Sequence, residues 1–161
     1  RSNYAWRLRN SIRKKVVTAL KKSSKNFILI YPNNDLGSKI IINEYKKIKN
    51  KNIKIFPSIR FEYYLTLLKN SNLIIGNSSS GIIEAPYYGV PTINIGNRQN
   101  KRAKLKSIIN CDNDVKKIKK LIDKYYYNGK LTKSRHFGSG KSDKKVISIL
   151  QSSKILYYRY K

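Results

Sequence analysis

Tyr4, Leu8, Ile12, Val16 and Leu20 recur at helical spacing with Arg and Lys between them, so residues 3–22 are expected to form an amphipathic helix. The pattern then changes period. NFILIY (26–31) is a short apolar run ended by Pro32, the form of a buried strand. PNNDLGS follows as a loop whose Asn, Asp and Gly supply turn geometry, and Ser38 is placed to cap a helix over about 39–50. IKIF (53–56) reads as a strand closed by Pro57, and FEYYLTLLKN (61–70) as a helix with an aromatic and aliphatic face. NLIIG (72–76) is a strand, SSGIIEAPYYG (79–89) a short helix ending at Gly89, and PTINI (91–95) a strand before the polar loop GNRQNKR. SIINC (107–111) is a last short strand. Helices at 113–127 and about 142–158 flank the loop-rich tract YYYNGKLTKSRHFGSGKS (125–142).

Strands therefore alternate with helices, and the strands are continuous apolar runs rather than alternating ones. That combination predicts a parallel sheet covered on both faces. Right-handed crossovers make it a Rossmann-like α/β layer. The chain has 161 residues, enough for one domain with its own core, and the pattern contains no internal repeat and no second domain.

Composition adds a strong charge imbalance. There are 36 Lys and Arg against 8 Asp and Glu, a formal charge of +28. Nucleic acid, an anionic membrane or a phosphorylated ligand would each suit it. Lys, Asn, Ile and Tyr also abound together, as AT-rich coding would give, and the lysines are spread along the chain rather than clustered. A nucleic-acid partner is therefore not expected. The one cysteine, Cys111, cannot form an internal disulfide, which favours a reducing compartment and a cytoplasmic location. A single histidine, His136, and no carboxylate cluster leave no metal site to expect. No apolar run approaches the roughly 18 residues of a membrane span, and no signal-peptide pattern opens the chain. With no Met and a start in mid-pattern, the sequence reads as a fragment.

Chemistry concentrates in LIIGNSSSGIIEAPYYGVPTINIGNR (73–98). No Lys or Arg falls between Asn70 and Asn97, and Glu84 is the one acid there. In parallel α/β sheets ligands sit outside the carboxyl ends of strands, and LIIG ends at such a point. Asn77, Ser78, Ser79 and Ser80 follow in the turn and the first helical turn. Open N–H groups, the helix dipole and serine hydroxyls would suit a phosphate or diphosphate. The plain alternative is that the serines only cap the helix. Glu84, in an apolar segment, needs hydrogen-bond donors. A ribose diol offers two; an ion pair with a nearby lysine is the alternative.

GNSSSGIIEAPYYGVPTINIGNRQ, YPNNDLGSK (31–39) and FGSGKSDKKVISIL (137–150) together resemble three signatures of the UDP-N-acetylglucosamine 2-epimerases, in the family's order and over about residues 26–150. The hydrolysing subgroup, which supplies N-acetylmannosamine or a related sugar for sialic and other nonulosonic acids, is the nearer likeness. The resemblance implies the C-terminal, UDP-binding half of a glycosyltransferase-B-type fold. The UDP-sugar would lie in a cleft against an N-terminal Rossmann-like domain, and the C-terminal helix would pack back on that domain. It further implies that Ser78 and Ser79 hold the diphosphate, Glu84 the ribose hydroxyls and the Ile59 backbone the uracil, and that Asn33 faces the sugar nucleotide. Arg98 and Lys39 match basic positions near the cleft that serve a regulatory site in the animal enzymes. Ser139 stands where the family has Asp in FGDG, and Lys101 where it often has Gly; both are loop changes that bear on activity more than on fold. The acid and base carboxylates belong to the other half, so no catalytic residue, metal or cofactor is expected in this chain, and the intact enzyme is expected to be a homo-oligomer. A UDP-sugar glycosyltransferase domain of the same architecture, an inactive fragment and a basic nucleic-acid binder are the alternative readings.

Overall fold

Five short strands carry the apolar runs: β1 (Phe27–Ile30), β2 (Ile53–Phe56), β3 (Ile74–Gly76), β4 (Thr92–Ile95) and β5 (Ile108–Cys111). The computed structural model describes residues 14–32 and 38–152. Residues 14–23 are helical (α1), and the remaining helices are α2 (Ser38–Lys46), α3 (Phe61–Asn70), α4 (Ser80–Tyr88), α5 (Val115–Tyr126) and α6 (Ser142–Gln151). The expected residues 3–13 of the first helix and 153–158 of the last lie outside the described residues. α2 stops at Lys46 rather than near residue 50. After it the Asn50 side chain accepts from the Asn52 N–H at 2.9 Å in the turn that leads into β2.

All strand pairs are parallel, in two ladders, β1–β2 and β3–β4–β5. One core joins them. Ile53 of β2, Ile93 and Ile95 of β4, and Cys111 of β5 pack with Ala19 and Leu20 of α1 and with Ile118 and Ile122 of α5. The opposite face carries α3 and α4 through Leu68, Ala85 and Val90, with Ile74 of β3 packed against them. Helices thus cover both faces, as the continuous apolar strands require. β4 is buried at all four positions. Ile93 and Ile95 point to α1 and α5, while Thr92 points to α4 and donates to the Gly81 carbonyl at 2.6 Å.

The layer is not one continuous ladder. β1 spends one edge on β2 and β3 spends one edge on β4; their other edges face each other across a crevice lined by both strands. The pairing lapses at β3, which has only three residues and offers few rungs. No ladder joins β1 to β3, but residues of both strands line the one crevice, and in open α/β sheets ligands sit outside the carboxyl ends of the strands.

α4 ends at Gly89, whose φ of 71° is open to glycine and strained for other residues. The Gly89 N–H bonds Pro86 O and the Val90 N–H bonds Ala85 O. The tail loop then crosses this helix end: Leu131 N–H donates to Gly89 O at 2.7 Å and Ser134 N–H to Pro86 O at 2.9 Å. α6 has no buried residue; Val146, Ile147, Ile149 and Leu150 are all more than half exposed. Among the described residues no helix is long and apolar enough to cross a membrane.

Candidate functional site

The crevice between β1 and β3 measures about 1000 Å³. At the carboxyl ends of the strands it is bordered by Tyr31, Ile59, Gly76, Ser78, Ser80 and Arg98. Tyr64 of α3 and Glu84 of α4 also line it.

Ser78, Ile59, Glu84 and Arg98 therefore meet at one crevice although they come from four separate segments. Ser79 is exposed and sits beside that lining rather than in it. Lys39 is exposed on α2 and is not among the lining residues. Asn33 lies outside the described residues.

α4 starts where a strand, a tight turn and a close helix contact coincide. Gly81 permits the contact: a Cβ there would lie 2.6 Å from Thr92 Cγ2. The turn offers fewer open donors than the sequence led us to expect. The N–H groups of Gly81 and Ile82 fold back to the carbonyls of Ser78 and Ser79, and Ser80 N–H reaches Ser78 Oγ at 3.3 Å. These i→i+3 closures tighten the first turn and use donors that a longer open N-terminus would present. The N–H groups of Ser78 and Ser79 bond no described residue. They remain, with the serine hydroxyls, as the open donors of the turn.

Glu84 Oε2 is buried and has no hydrogen-bond partner among the described residues. The ion pair that sequence left open as an alternative is not formed among the described residues, where the four ion pairs involve Glu44, Glu62, Asp112 and Asp123. A buried carboxylate oxygen without a donor is costly unless a ligand or solvent supplies one.

Two residues that sequence reasoning passed over hold this turn. Gln99 is 3% exposed, and its Nε2 donates to the Asn77 carbonyl at 2.9 Å. Tyr64 bonds Ser80 hydroxyl to hydroxyl. Burial pushes the Tyr64 hydroxyl above the ordinary phenol range, the Ser80 bond opposes that shift, and the Glu84 carboxylate adds to it. Tyr64 and Glu84 are therefore electrostatic neighbours, and Tyr64 keeps its proton near neutral pH. Its position in FEYYLTLLKN, on the same helix face as Leu68, was the available signal; the partner 16 residues later was not.

Cys111 is in the core, and burial raises its thiol above its usual value, with Asp112 adding to the rise. It is not a nucleophile near neutral pH. His136 is exposed in the tail loop and packs edge-on against Phe137. Among the described residues no three His, Cys, Asp or Glu side chains gather as a metal site would need.

Comparison with known proteins bears on the family and the fold. Residues 7–151 match the family model described as UDP-N-acetylglucosamine 2-epimerase. A UDP-N-acetylglucosamine 2-epimerase of Neisseria meningitidis serogroup B is 47% identical over 122 residues, which are 76% of this chain and 32% of that protein. A UDP-N,N'-diacetylbacillosamine 2-epimerase (hydrolyzing) of Legionella pneumophila is 29% identical over 140 residues, 85% of this chain and 37% of that protein. Among solved structures, the Methanocaldococcus jannaschii UDP-GlcNAc 2-epimerase in complex with UDP-GlcNAc and UDP superposes with a TM-score of 0.71 at 25% identity. That superposition covers 88% of this chain and 41% of the other. The chain thus spans about a third of the length of these curated relatives.

Proposed function

This chain belongs to the UDP-N-acetylglucosamine 2-epimerase family, and we propose on that premise that it is the part of a hydrolysing 2-epimerase that holds the UDP of the sugar nucleotide. The observation that carries the reading is Glu84. Glu84 lines the same strand-end crevice as Ser78 and Ser80, and its Oε2 is buried without a donor among the described residues. A ribose diol donates hydrogen bonds to a carboxylate, while the attached diphosphate accepts from the N–H and O–H donors of the serine turn. Ile59 borders the crevice, where its backbone would meet the base. Ser79 would add its open N–H and hydroxyl once a diphosphate lies across the turn, and Asn33 would face the sugar. Arg98 would add a positive charge to the same crevice.

In the intact enzyme the reaction begins with anti elimination. A base takes the proton from sugar C2, that C–H pair becomes the C1=C2 bond, and the C1–O bond breaks to release UDP. Water then adds across the double bond, hydroxyl to C1 and a proton to the opposite face of C2, giving the 2-epimer of an N-acetyl sugar for nonulosonic acid synthesis. The groups that move these protons belong, on this reading, to an N-terminal half. The serine turn stabilises charge as it develops on the departing diphosphate, an effect worth about 2–4 kcal/mol per well-placed donor. The exposed apolar residues of α6 would seat on that other half, Lys39 would face the closed cleft, and the enzyme would work as a cytoplasmic homo-oligomer.

Titrating UDP into the 15N-labelled chain tests the binding reading. Saturable shifts of the Gly76–Ser80, Ile59 and Glu84 amides are expected. No shift at millimolar UDP, or shifts confined to distant lysines, would overturn it.

A further inference from the structure

We propose that Tyr64 is a positioning residue that aims the Ser80 hydroxyl at the bound diphosphate, so that Ser80 joins Ser78 and Ser79 as a phosphate-binding residue. The inference rests on the UDP reading above and adds two residues to it. It starts from the hydroxyl–hydroxyl bond between α3 and the first residue of α4. Both residues line the crevice and both are half-buried.

The direction of that bond follows from acidity. A phenol is the stronger donor and an aliphatic hydroxyl the better acceptor, so the Tyr64 proton points to Ser80 Oγ. The neighbouring Glu84 charge further favours a protonated Tyr64. A serine oxygen that accepts from Tyr64 still owns its own proton. That proton cannot point back along the Tyr64 bond, and Ser80 Oγ makes no other hydrogen bond among the described residues. It is left to rotate toward the crevice, and a hydroxyl that already accepts one bond is polarised to donate the next. The pair thus forms a short relay, Tyr64 to Ser80 to phosphate oxygen.

Placement supports the same assignment. Ser80 is the serine of the three that both begins the helix and lines the crevice; Ser78 precedes the helix and Ser79 is not in the lining. Tyr64 is held in place independently of any ligand, with its ring stacked on Phe61 and packed on the Leu68–Ala85–Val90 cluster. A Phe at position 64 would keep that packing and lose only the hydroxyl. The relay reads phosphate and not ribose, which separates it from the role given to Glu84.

The test is a double-mutant cycle on the 161-residue chain, with UDP, inorganic pyrophosphate and uridine as probes in calorimetry. Tyr64→Phe and Ser80→Ala are each expected to weaken UDP and pyrophosphate by a similar factor, about 10- to 150-fold for one hydrogen bond to a charged group. Uridine, which has no phosphate, should be unaffected. The double variant should lose no more than either single one, because the two hydroxyls act in series. Losses that multiply, or a Tyr64→Phe chain that binds pyrophosphate like wild type, would overturn the relay while leaving the UDP reading intact. Should Tyr64→Phe fail to fold by circular dichroism, Ser80→Ala alone decides, since unchanged pyrophosphate affinity there overturns the proposal. Failure of wild type to bind either UDP or pyrophosphate would overturn the UDP reading and the relay together.

Discussion

Gln99 Nε2 donates to the Asn77 carbonyl at 2.9 Å, tying the loop after β4 to the first residue after β3. The bond is made in near-complete burial, and the other end of the amide, Oε1, has no partner among the described residues. The neighbouring Arg98 side chain is exposed and lines the crevice. One turn thus sends Gln99 inward and leaves Arg98 exposed at the crevice. Gln99→Leu would keep the volume and leave the Asn77 carbonyl without its donor, at a cost of about 1–3 kcal/mol. We expect a lower midpoint in urea together with weaker pyrophosphate binding. A variant with the lower midpoint but unchanged pyrophosphate affinity would show that Gln99 holds the fold and not the turn's donor geometry. Gln99→Glu should be worse than Leu, because it sets a carboxylate oxygen against a carbonyl in a buried place.

Glu84→Gln separates ribose from phosphate. The amide keeps the shape but offers a neutral oxygen in place of a charged acceptor. Charge-assisted hydrogen bonds are about twice as strong as neutral ones, so UDP should bind about 10-fold more weakly. Inorganic pyrophosphate has no diol and should bind the variant as well as wild type, or better once a negative charge has left the crevice. Equal losses for the two ligands would remove Glu84 from the ribose role.

Sequence carried the alternation of elements well, because short apolar runs stopped by Pro32, Pro57 and Gly89 leave few other solutions. It brought Ser78, Ile59, Glu84 and Arg98 forward through family motifs, and the fold puts all four on one crevice. What it missed has a common physical cause. Tyr64 and Gln99 act through bonds that span 16 and 22 residues, and no local period or spacing encodes such a bond. The back-bonded N–H groups of Gly81 and Ile82 depend on the conformation of Ser78 and Ser79, which serine permits but does not dictate. The lapse in pairing between β1 and β3 is likewise tertiary, since both strands are apolar enough to sit in a continuous sheet. Lys39 was grouped with the cleft by its motif; it is exposed on α2 and is not among the residues that line this crevice.

The end of α4 offers a stability test free of ligand. At Gly89 an added Cβ would sit 2.3 Å from the Leu131 carbonyl oxygen, in a left-handed backbone. Gly129 has a nearly equal φ of 72° but nothing within 4 Å of such a Cβ. Gly129→Ala therefore costs the left-handed strain alone, about 1–2 kcal/mol. Gly89→Ala adds a backbone collision and the loss of the Leu131 N–H bond to Gly89 O, for about 3–5 kcal/mol in all. Thermal unfolding should place Gly89→Ala about 5–10 °C below Gly129→Ala, at about 2–4 °C per kcal/mol for a chain of this size. Equal midpoints would mean that the tail loop does not pack on α4 in solution.

The final expectation concerns chemistry. Elimination at C1–C2 needs a base for the C2 proton, and the later addition needs an acid on the other face; each such group is worth about 10²–10⁴ in rate. Among the described residues the crevice lining holds one carboxylate, Glu84, and no histidine. Glu84 lines the crevice with the serines, where a ribose diol would engage it and leave it unable to approach the sugar. Tyr64 is held protonated and bonds Ser80, which suits a donor to that hydroxyl and not a base. Cys111 lies in the core. The 161-residue chain on its own should therefore bind UDP without turning over UDP-N-acetylglucosamine. The check is a coupled assay for free UDP with the purified chain, run beside Glu84→Gln. Turnover at about 1 s⁻¹ or faster, within the ordinary enzyme range, that Glu84→Gln abolished would make Glu84 the base and reassign the ribose contact. The same turnover unaffected by Glu84→Gln would require proton-moving groups outside the described residues of this chain.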